Sequence, residues 1–268
     1  MTELQNNGVT FLAADSFLAA GGVAHGFSTR VGGVSGGIYA SMNLGSTRGD
    51  DPACVKENYR RFCSAIGADV TGVVMTNQIH STIIRTATPA DIKADLYDPE
   101  GYNCDGLITN EPGLALTIFS ADCIPVLLYD PAKRVIAAVH AGWRGTTGDI
   151  AGKAARLMQE NYGSDPADIL TAIGPGISQC CFETHADVPD AMLEVLGDLA
   201  KPYIACLENG KFKVDLKGIN AALLIRAGVR PEHVEISSDC TACLSEKYWS
   251  HRVTQGKRGS QAAILQLL

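Results

Sequence analysis

Three residues of this chain carry soft, ionisable side chains in places that call for a partner. Cys123 interrupts one strongly apolar stretch, 116–129, and His140 ends another, 135–140. A polar group in such a run costs roughly 2–7 kcal/mol unless it is hydrogen-bonded or bound to something. His80, in Asn77-Gln78-Ile79-His80, is a third donor at the outlet of an expected strand, where functional groups tend to sit. Two imidazoles and one thiolate make a three-ligand catalytic zinc shell with a fourth position open to water or substrate. Asp122, beside Cys123, is a carboxylate that should not be buried unpaired, and it is the candidate for moving protons, with Glu183 second. After His140 come Ala141-Gly142-Trp143-Arg144-Gly145: small residues that let the backbone approach a ligand, and a guanidinium that forks onto anions. A different chemistry is open to the same pair, with Cys123 as nucleophile and His140 as base in the hydrolysis of amide bonds.

The elements that must position these groups are mostly short strands. Residues 73–78, 82–86, 106–109, 115–120, 125–129 and 135–139 read as strands, joined by 169–173, 234–237 and 261–267 further on. Residues 22–45 read as strand, glycine-rich turn, strand. Helices are expected over 52–65, opened by Asp51-Pro52 and closed near Gly67, and over 147–162, 187–196 and 215–227. The helix expected from Thr147 would turn its N-terminal end toward His140. Several strand pairs sit too close for helical crossovers, which argues against a purely parallel sheet. The expected fold is therefore mixed α/β (α+β), a layered arrangement of mixed β-sheets flanked by helices, in one domain over 1–268 with 1–20 as a lead-in.

Composition narrows the class. The 268 residues are 46% hydrophobic and carry a net charge of −7, with no Lys/Arg block, so nucleic acid is a poor first guess as partner. No apolar run approaches ~18 residues, so no membrane span is expected. The start lacks the basic-then-apolar order of a secretion signal, and nine cysteines without a regular framework point to reduced thiols in the cytoplasm. Cys240-Thr241-Ala242-Cys243 has the spacing of a redox or zinc motif that Cys180-Cys181 would complete. With no second Cys-X-X-Cys, free structural thiols are the expectation. His185 and His233 sit in polar surroundings and are expected on the surface, while His25 either supports the site or packs.

The ordered set His25-Gly26-Phe27-Ser28-Thr29-Arg30, Gln78-Ile79-His80, Ala121-Asp122-Cys123-Ile124-Pro125, Val139-His140-Ala141-Gly142-Trp143-Arg144-Gly145, Ile173-Gly174-Pro175-Gly176-Ile177 and Ser250-His251-Arg252 resembles the YfiH-type family. Gly49-Asp50-Asp51 with Asn58 and Arg60, Asp105-Gly106 and Gly256-Lys257-Arg258 extend the likeness over about 22–268. The family was once labelled multicopper polyphenol oxidase or laccase-domain and was later associated with purine nucleoside phosphorolysis and adenosine deamination. The resemblance implies zinc held by His80, Cys123 and His140, and nucleoside and phosphate as small-molecule partners. It implies adenosine, inosine, guanosine and methylthioadenosine as substrates. It favours Arg60 and Gln78 near the ligand. As phosphate clamps, Arg60 and Arg144 come first, then Arg252 and Arg258. Trp143 is a candidate wall for the base.

The copper-oxidase label fails on counting. Four coppers need roughly ten histidines, largely in His-X-His pairs. Six histidines are present and none is so paired. Deamination would use the open zinc directly, but the His-X-Glu…Pro-Cys-X-X-Cys pattern of nucleobase deaminases is absent. The family's bacterial members have also been linked to removing wrong amino acids from cell-wall precursors, which fits the amide-hydrolase alternative.

Overall fold

Two central sheets lie face to face, each covered on its outer side by helices. In the computed structural model, which describes residues 1–268, a hairpin of β1 (Thr2–Asn6) and β2 (Val9–Ala13) passes through helix α1 (Asp15–Ala20) into β3 (Val23–Ser28). Helix α2 (Pro52–Ile66) follows, then β4 (Val73–Met75), β5 (Ile84–Thr86), β6 (Gly106–Thr109) and β7 (Ala115–Ser120). The hairpin β8 (Ile124–Asp130) and β9 (Val135–Ala141) leads into α3 (Trp143–Thr147), α4 (Ile150–Tyr162) and β10 (Leu170–Ile173). The last third holds β11 (Glu183–Thr184), α5 (Asp187–Leu196), β12 (Ile204–Cys206), β13 (Phe212–Val214) and α6 (Leu216–Arg226). It closes with β14 (Val234–Ile236), α7 (His251–Thr254) and β15 (Gln261–Leu267).

The first sheet has the order β1-β2-β3-β15-β7-β4, the second β14-β10-β8-β9-β6-β5, and β11-β13-β12 form a small third one. Both large sheets are mixed. β4 runs parallel to β7 and β5 to β6, while β8 and β9 pair antiparallel over seven residues. Alternation along the strands builds the layers. Leu127, Tyr129, Ile136 and Ala138 face Phe27, Leu116, Ile118 and Leu265 between the sheets. Val126, Leu128, Val135, Ala137 and Val139 face the other way, onto α4, α5 and α6. Val9, Phe11, Met75 and Ile264 meet Val55, Tyr59 and Phe62 of α2 on the far side. Strands buried on both faces read as unbroken apolar runs, which is why 124–130 and 135–141 stand out in the sequence.

The helix ends follow their local chemistry. Asp51 caps α2 by accepting from Ala53 N at 2.9 Å with Pro52 in the first turn, and Gly67 closes it at φ 76°. The helix expected over 147–162 starts three residues later, at Ile150. Asp149, at φ 59°, starts α4 by accepting from Gly152 N, so the segment beside His140 is the separate one-turn α3. The strand expected near 38–45 is absent because its backbone groups are taken up locally. Ser41 and Met42 N–H donate to Arg30 O, and the Asn58 amide of α2 gathers Val34 N, Ser35 Oγ, Ser41 O and Asn43 O. Residues 1–20 are not a lead-in: β1 and β2 form one edge of the first sheet. No helix is long and apolar enough to cross a membrane.

The chain crosses between the two large sheets twice in a way that matters for chemistry. One crossing, 76–83, joins β4 to β5; the other, 121–123, joins β7 to β8. His80 lies on the first and Cys123 on the second, while His140 sits near the end of β9, opposite Pro125. The seam between the sheets collects all three.

Candidate metal centre and cleft

The ligand-type atoms of His80, Cys123 and His140 lie within 4.8 Å of one another, from exposed His80 through half-buried Cys123 to buried His140. Cys123 Sγ is 4.0 Å from His80 Nε2, and the two imidazole rings are 5.0 Å apart at 78°. Bonds of about 2.0–2.3 Å at tetrahedral angles separate ligand atoms by about 3.4–3.8 Å, so this trio can hold a metal ion. Gly142 is the other side of the fit. A Cβ there would come within 3.0 Å of His80 Cδ2 and 3.1 Å of Cys123 Sγ, so any larger residue would crowd both side chains.

One carboxylate organises the trio. Asp105, fully buried at the head of β6, accepts His140 Nδ1 at 2.9 Å and the backbone N–H of His80 at 3.0 Å through Oδ1. Its Oδ2 accepts Ile79 N, Ser81 N and Ser81 Oγ at 3.1, 2.7 and 2.8 Å. It therefore fixes one ligand's tautomer, leaving His140 Nε2 free for a metal, and the loop that carries another. Burial pushes the Asp105 carboxyl up, but His140 and Ser81 outweigh it and hold it at about 2. Burial also pushes the Cys123 thiol up, and His140 and His80 bring it down to about 6. His140 is raised to about 9: burial opposes its charge, but the Cys123 sulfur and Asp105 favour it more. Without metal, the trio is thus a thiolate beside an imidazolium.

Two residues of the seam, His80 at φ 60° and Asp122 at φ 85°, occupy the left-handed region, which costs of order 1–3 kcal/mol each. Asp105 holds the first. Asp122 is held by its own carboxylate, whose Oδ1 accepts the Thr241 hydroxyl at 2.7 Å and whose Oδ2 accepts Arg252 N at 2.6 Å. Both oxygens expected to move protons are thus engaged in tying the cleft wall together.

His80 and Cys123 border a cleft of about 490 Å³, the size of a small-molecule site, while His140 lines a small hollow on the other side of the trio. Arg48, Arg252 and Arg258 line the cleft together with His251, and Trp143 and Phe182 supply aromatic faces. Arg258 is buried, donates to Gly259 O and Ser260 Oγ, and has an unpartnered Nε. Burial and neighbouring Arg48 lower it to about 10. Arg252 donates to Cys181 O at 3.0 Å. Asn43 brings the Arg48 loop and the Arg258 segment together, accepting from both Gly45 N and Ser260 N at 2.9 Å.

Other expected residues fall elsewhere. Arg60 is exposed on α2, forked onto Glu57 at 2.7 Å, and borders a separate hollow with Asn7, Arg61 and Ser64; it is removed from the trio. Arg144 stacks on Trp143 at 4.2 Å without lining the cleft. Gln78 borders the small hollow behind the trio, but its amide is committed to Phe119 N and O, extending the β4–β7 pairing by a side chain. Glu183 pairs with Lys211 in the small sheet. His25 is a core acceptor for Ala14 N. Asp105 was legible as a motif fragment but not as the organiser. Arg48 carried no distinct sequence signal, and Gly142 stood out as one of the small residues after His140 without its contact to the other two ligands being legible.

The chain matches a family described as multi-copper polyphenol oxidoreductase laccase over residues 24–268. It is 35% identical to a protein named purine nucleoside phosphorylase YlmD from Geobacillus stearothermophilus, over 92% of this chain and 90% of that one. It is 32% identical to a protein named adenosine deaminase RL5 from an unknown prokaryotic organism, over 84% and 87%. The crystal structure of YfiH from Bacillus licheniformis superposes with a TM-score of 0.91 at 30% identity, covering 98% of this chain and 97% of that one. The chain belongs to this YfiH-type, laccase-domain family.

Proposed function

We propose that the protein is a zinc-dependent purine nucleoside phosphorylase with adenosine deaminase as a side activity. The observation that carries this is a Cys/His/His trio whose His80 and Cys123 border a cleft lined by three arginines, two of which, Arg252 and Arg258, hydrogen-bond only to neutral oxygens. The names of the relatives support the nucleoside. One thiolate and two imidazoles suit zinc, and two histidines cannot furnish a four-copper centre. Zinc held by His80, Cys123 and His140 would supply Lewis acidity beside the cleft.

The chain's own groups do the rest. Arg258, Arg48 and Arg252 bind and orient phosphate, and the buried Nε of Arg258 is the donor still lacking a partner. These three replace Arg60 and Arg144 as phosphate contacts. Trp143 and Phe182 hold the planar base between apolar faces. A phosphate oxygen bonds C1′ as the C1′–N9 bond breaks, and His251, in the cleft wall, gives the departing purine its proton. Asp122, though it borders the cleft, and Gln78 position the ligand-bearing turns through their bonds to Thr241, Arg252 and Phe119. Adenosine, inosine, guanosine and methylthioadenosine all present a purine ring joined through N9 to C1′ of a ribofuranosyl unit. Nine free thiols support a reducing, cytoplasmic setting.

Cys123, His140 and Asp105 also have the order of a Cys–His–Asp nucleophile, but His80 has no task there and an evident one as a metal ligand. The test is base release from inosine and adenosine. It is expected to require phosphate, to yield ribose 1-phosphate in equal amount and to vanish with the zinc in His140→Ala. Amino-acid release from a peptide conjugate that survives chelation would overturn the reading.

A further inference from the structure

The four cysteines expected to be unrelated structural thiols converge. Cys180, Cys181, Cys240 and Cys243 have all their sulfurs within 4.8 Å of one another, and none is in a disulfide. Cys180 to Cys181 is 3.8 Å, Cys180 to Cys243 3.5 Å and Cys181 to Cys243 3.3 Å. Four sulfurs at 2.3 Å from a tetrahedral zinc lie about 3.8 Å apart, whereas a disulfide needs about 2.05 Å. We propose that these four thiolates form a second, structural zinc site, separate from the His80–Cys123–His140 centre.

The surroundings suit a negatively charged centre. A divalent ion with four thiolates carries a net charge of −2. Ser178 N donates to Cys240 Sγ at 3.3 Å, and the Ser178 hydroxyl accepts from Lys217 Nζ at 3.1 Å. Lys217 is only 4% exposed, and its remaining hydrogen bonds go to Ser237 O and Asp239 O, both neutral. A buried ammonium whose hydrogen-bond acceptors are all neutral calls for negative charge nearby, and the thiolate centre supplies it together with the Asp215 and Asp239 carboxylates. Arg252, donating to Cys181 O, adds a second positive group. Cys180 and Cys243 are exposed, so the site can be loaded from solvent.

Its position gives it a task. Cys180 and Cys181 lie on the segment that presents Ile177 and Phe182 to the cleft, and Cys240 and Cys243 on the one that leads to His251 and Arg252. The protein ties these segments through the Gly176–Cys240 bridge, Thr241 N to Gly176 O at 3.2 Å, Arg252 to Cys181 O, and Lys217, which joins Ser178 to Ser237 and Asp239. The ion staples one wall of the cleft to itself.

The test is zinc stoichiometry with a spectroscopic signature. Wild-type protein is expected to hold two equivalents of zinc, and C240S/C243S to lose one of them. H80A/H140A, which leaves the four cysteines untouched, is expected to keep one. Its cobalt derivative should show the intense ligand-field bands of a tetrathiolate, and chelation should release protection of the 177–182 amides in hydrogen exchange. A folded H80A/H140A protein that holds no metal, or a native disulfide among the four cysteines in freshly purified wild type, overturns the proposal.

Discussion

Replacing Asp105 by Asn tests the organisation of the metal centre with almost no change of shape. The carboxylate takes five hydrogen bonds from donors only: Ile79 N, Ser81 N and Ser81 Oγ on one oxygen, His80 N and His140 Nδ1 on the other. An amide has one acceptor end. If its oxygen keeps the Ser81 side, its NH₂ faces His80 N–H and His140 Nδ1, donor against donor. His140 relieves the clash only by moving its proton to Nε2, the nitrogen that must bind metal. Losing such a partner typically weakens metal binding 10–100-fold, about 1.4–2.7 kcal/mol. The metal-free fold should also suffer, because two bonds to a buried charge are worth about 3–6 kcal/mol together. The assay is competition for zinc against a chromophoric chelator, with thermal melting alongside. In wild type, zinc must displace the His140 proton below about pH 9, so affinity should fall about tenfold per pH unit from 9 toward 6. In Asp105→Asn that slope should be shallower and the plateau lower. A folded variant with wild-type zinc affinity refutes the reasoning.

Gly142→Ala should cut zinc affinity about tenfold without unfolding the protein, since its Cβ would crowd His80 and Cys123; Gly36→Ala, with nothing within 4 Å, is the neutral control. Arg258→Met should raise the KM for phosphate roughly 10–150-fold, the worth of a hydrogen bond to a charged group, while Arg60→Ala leaves it unchanged; the reverse outcome in steady-state kinetics would return the clamp to α2. His25 is lowered by burial from 6.5 to about 4, so the unfolded chain binds the extra proton between those values and stability falls as pH drops through that window. Denaturant titrations at pH 7 and pH 4 should differ by about 3 kcal/mol from this residue, and His25→Gln should lose that increment.

What the sequence made legible follows from burial. Strands β7, β8, β9 and β15 are covered on both faces, so 115–120 and 261–267 emerge at their true limits, and 125–129 and 135–139 come within two residues of theirs. The elements missed are those whose reason lies far away in the chain. β1 is largely exposed and gains strand character only from pairing with the buried β2, which pairs in turn with β3, and β11–β13 are two- and three-residue strands that no periodicity can reveal. The loop at 38–45 reads as strand because its apolar content is real. Its backbone, however, is satisfied by Asn58, whose side chain the sequence shows only as one polar residue on a helix.

The site divides in the same way. His80, Cys123 and His140, which the fold brings together, stand out in the sequence because each is a ligand-type side chain in or beside an apolar segment, a local anomaly. Arg60 was favoured on a resemblance, and its place on α2 depends on nothing local: the helix turns that face to solvent, where Glu57 three residues earlier offers a ready partner. Arg48 reaches the cleft only because Asn43 bridges its loop to the start of β15, a contact across 217 residues. Asp105 shows the limit most clearly. One carboxylate before a short strand looks like a turn residue, yet the crossings β4–β5 and β7–β8 lie on the same seam, and that carboxylate is the group positioned to set both the loop of one ligand and the tautomer of another. Ligand identity is local chemistry and can be read from the chain; ligand orientation comes from the meeting of two sheets and cannot.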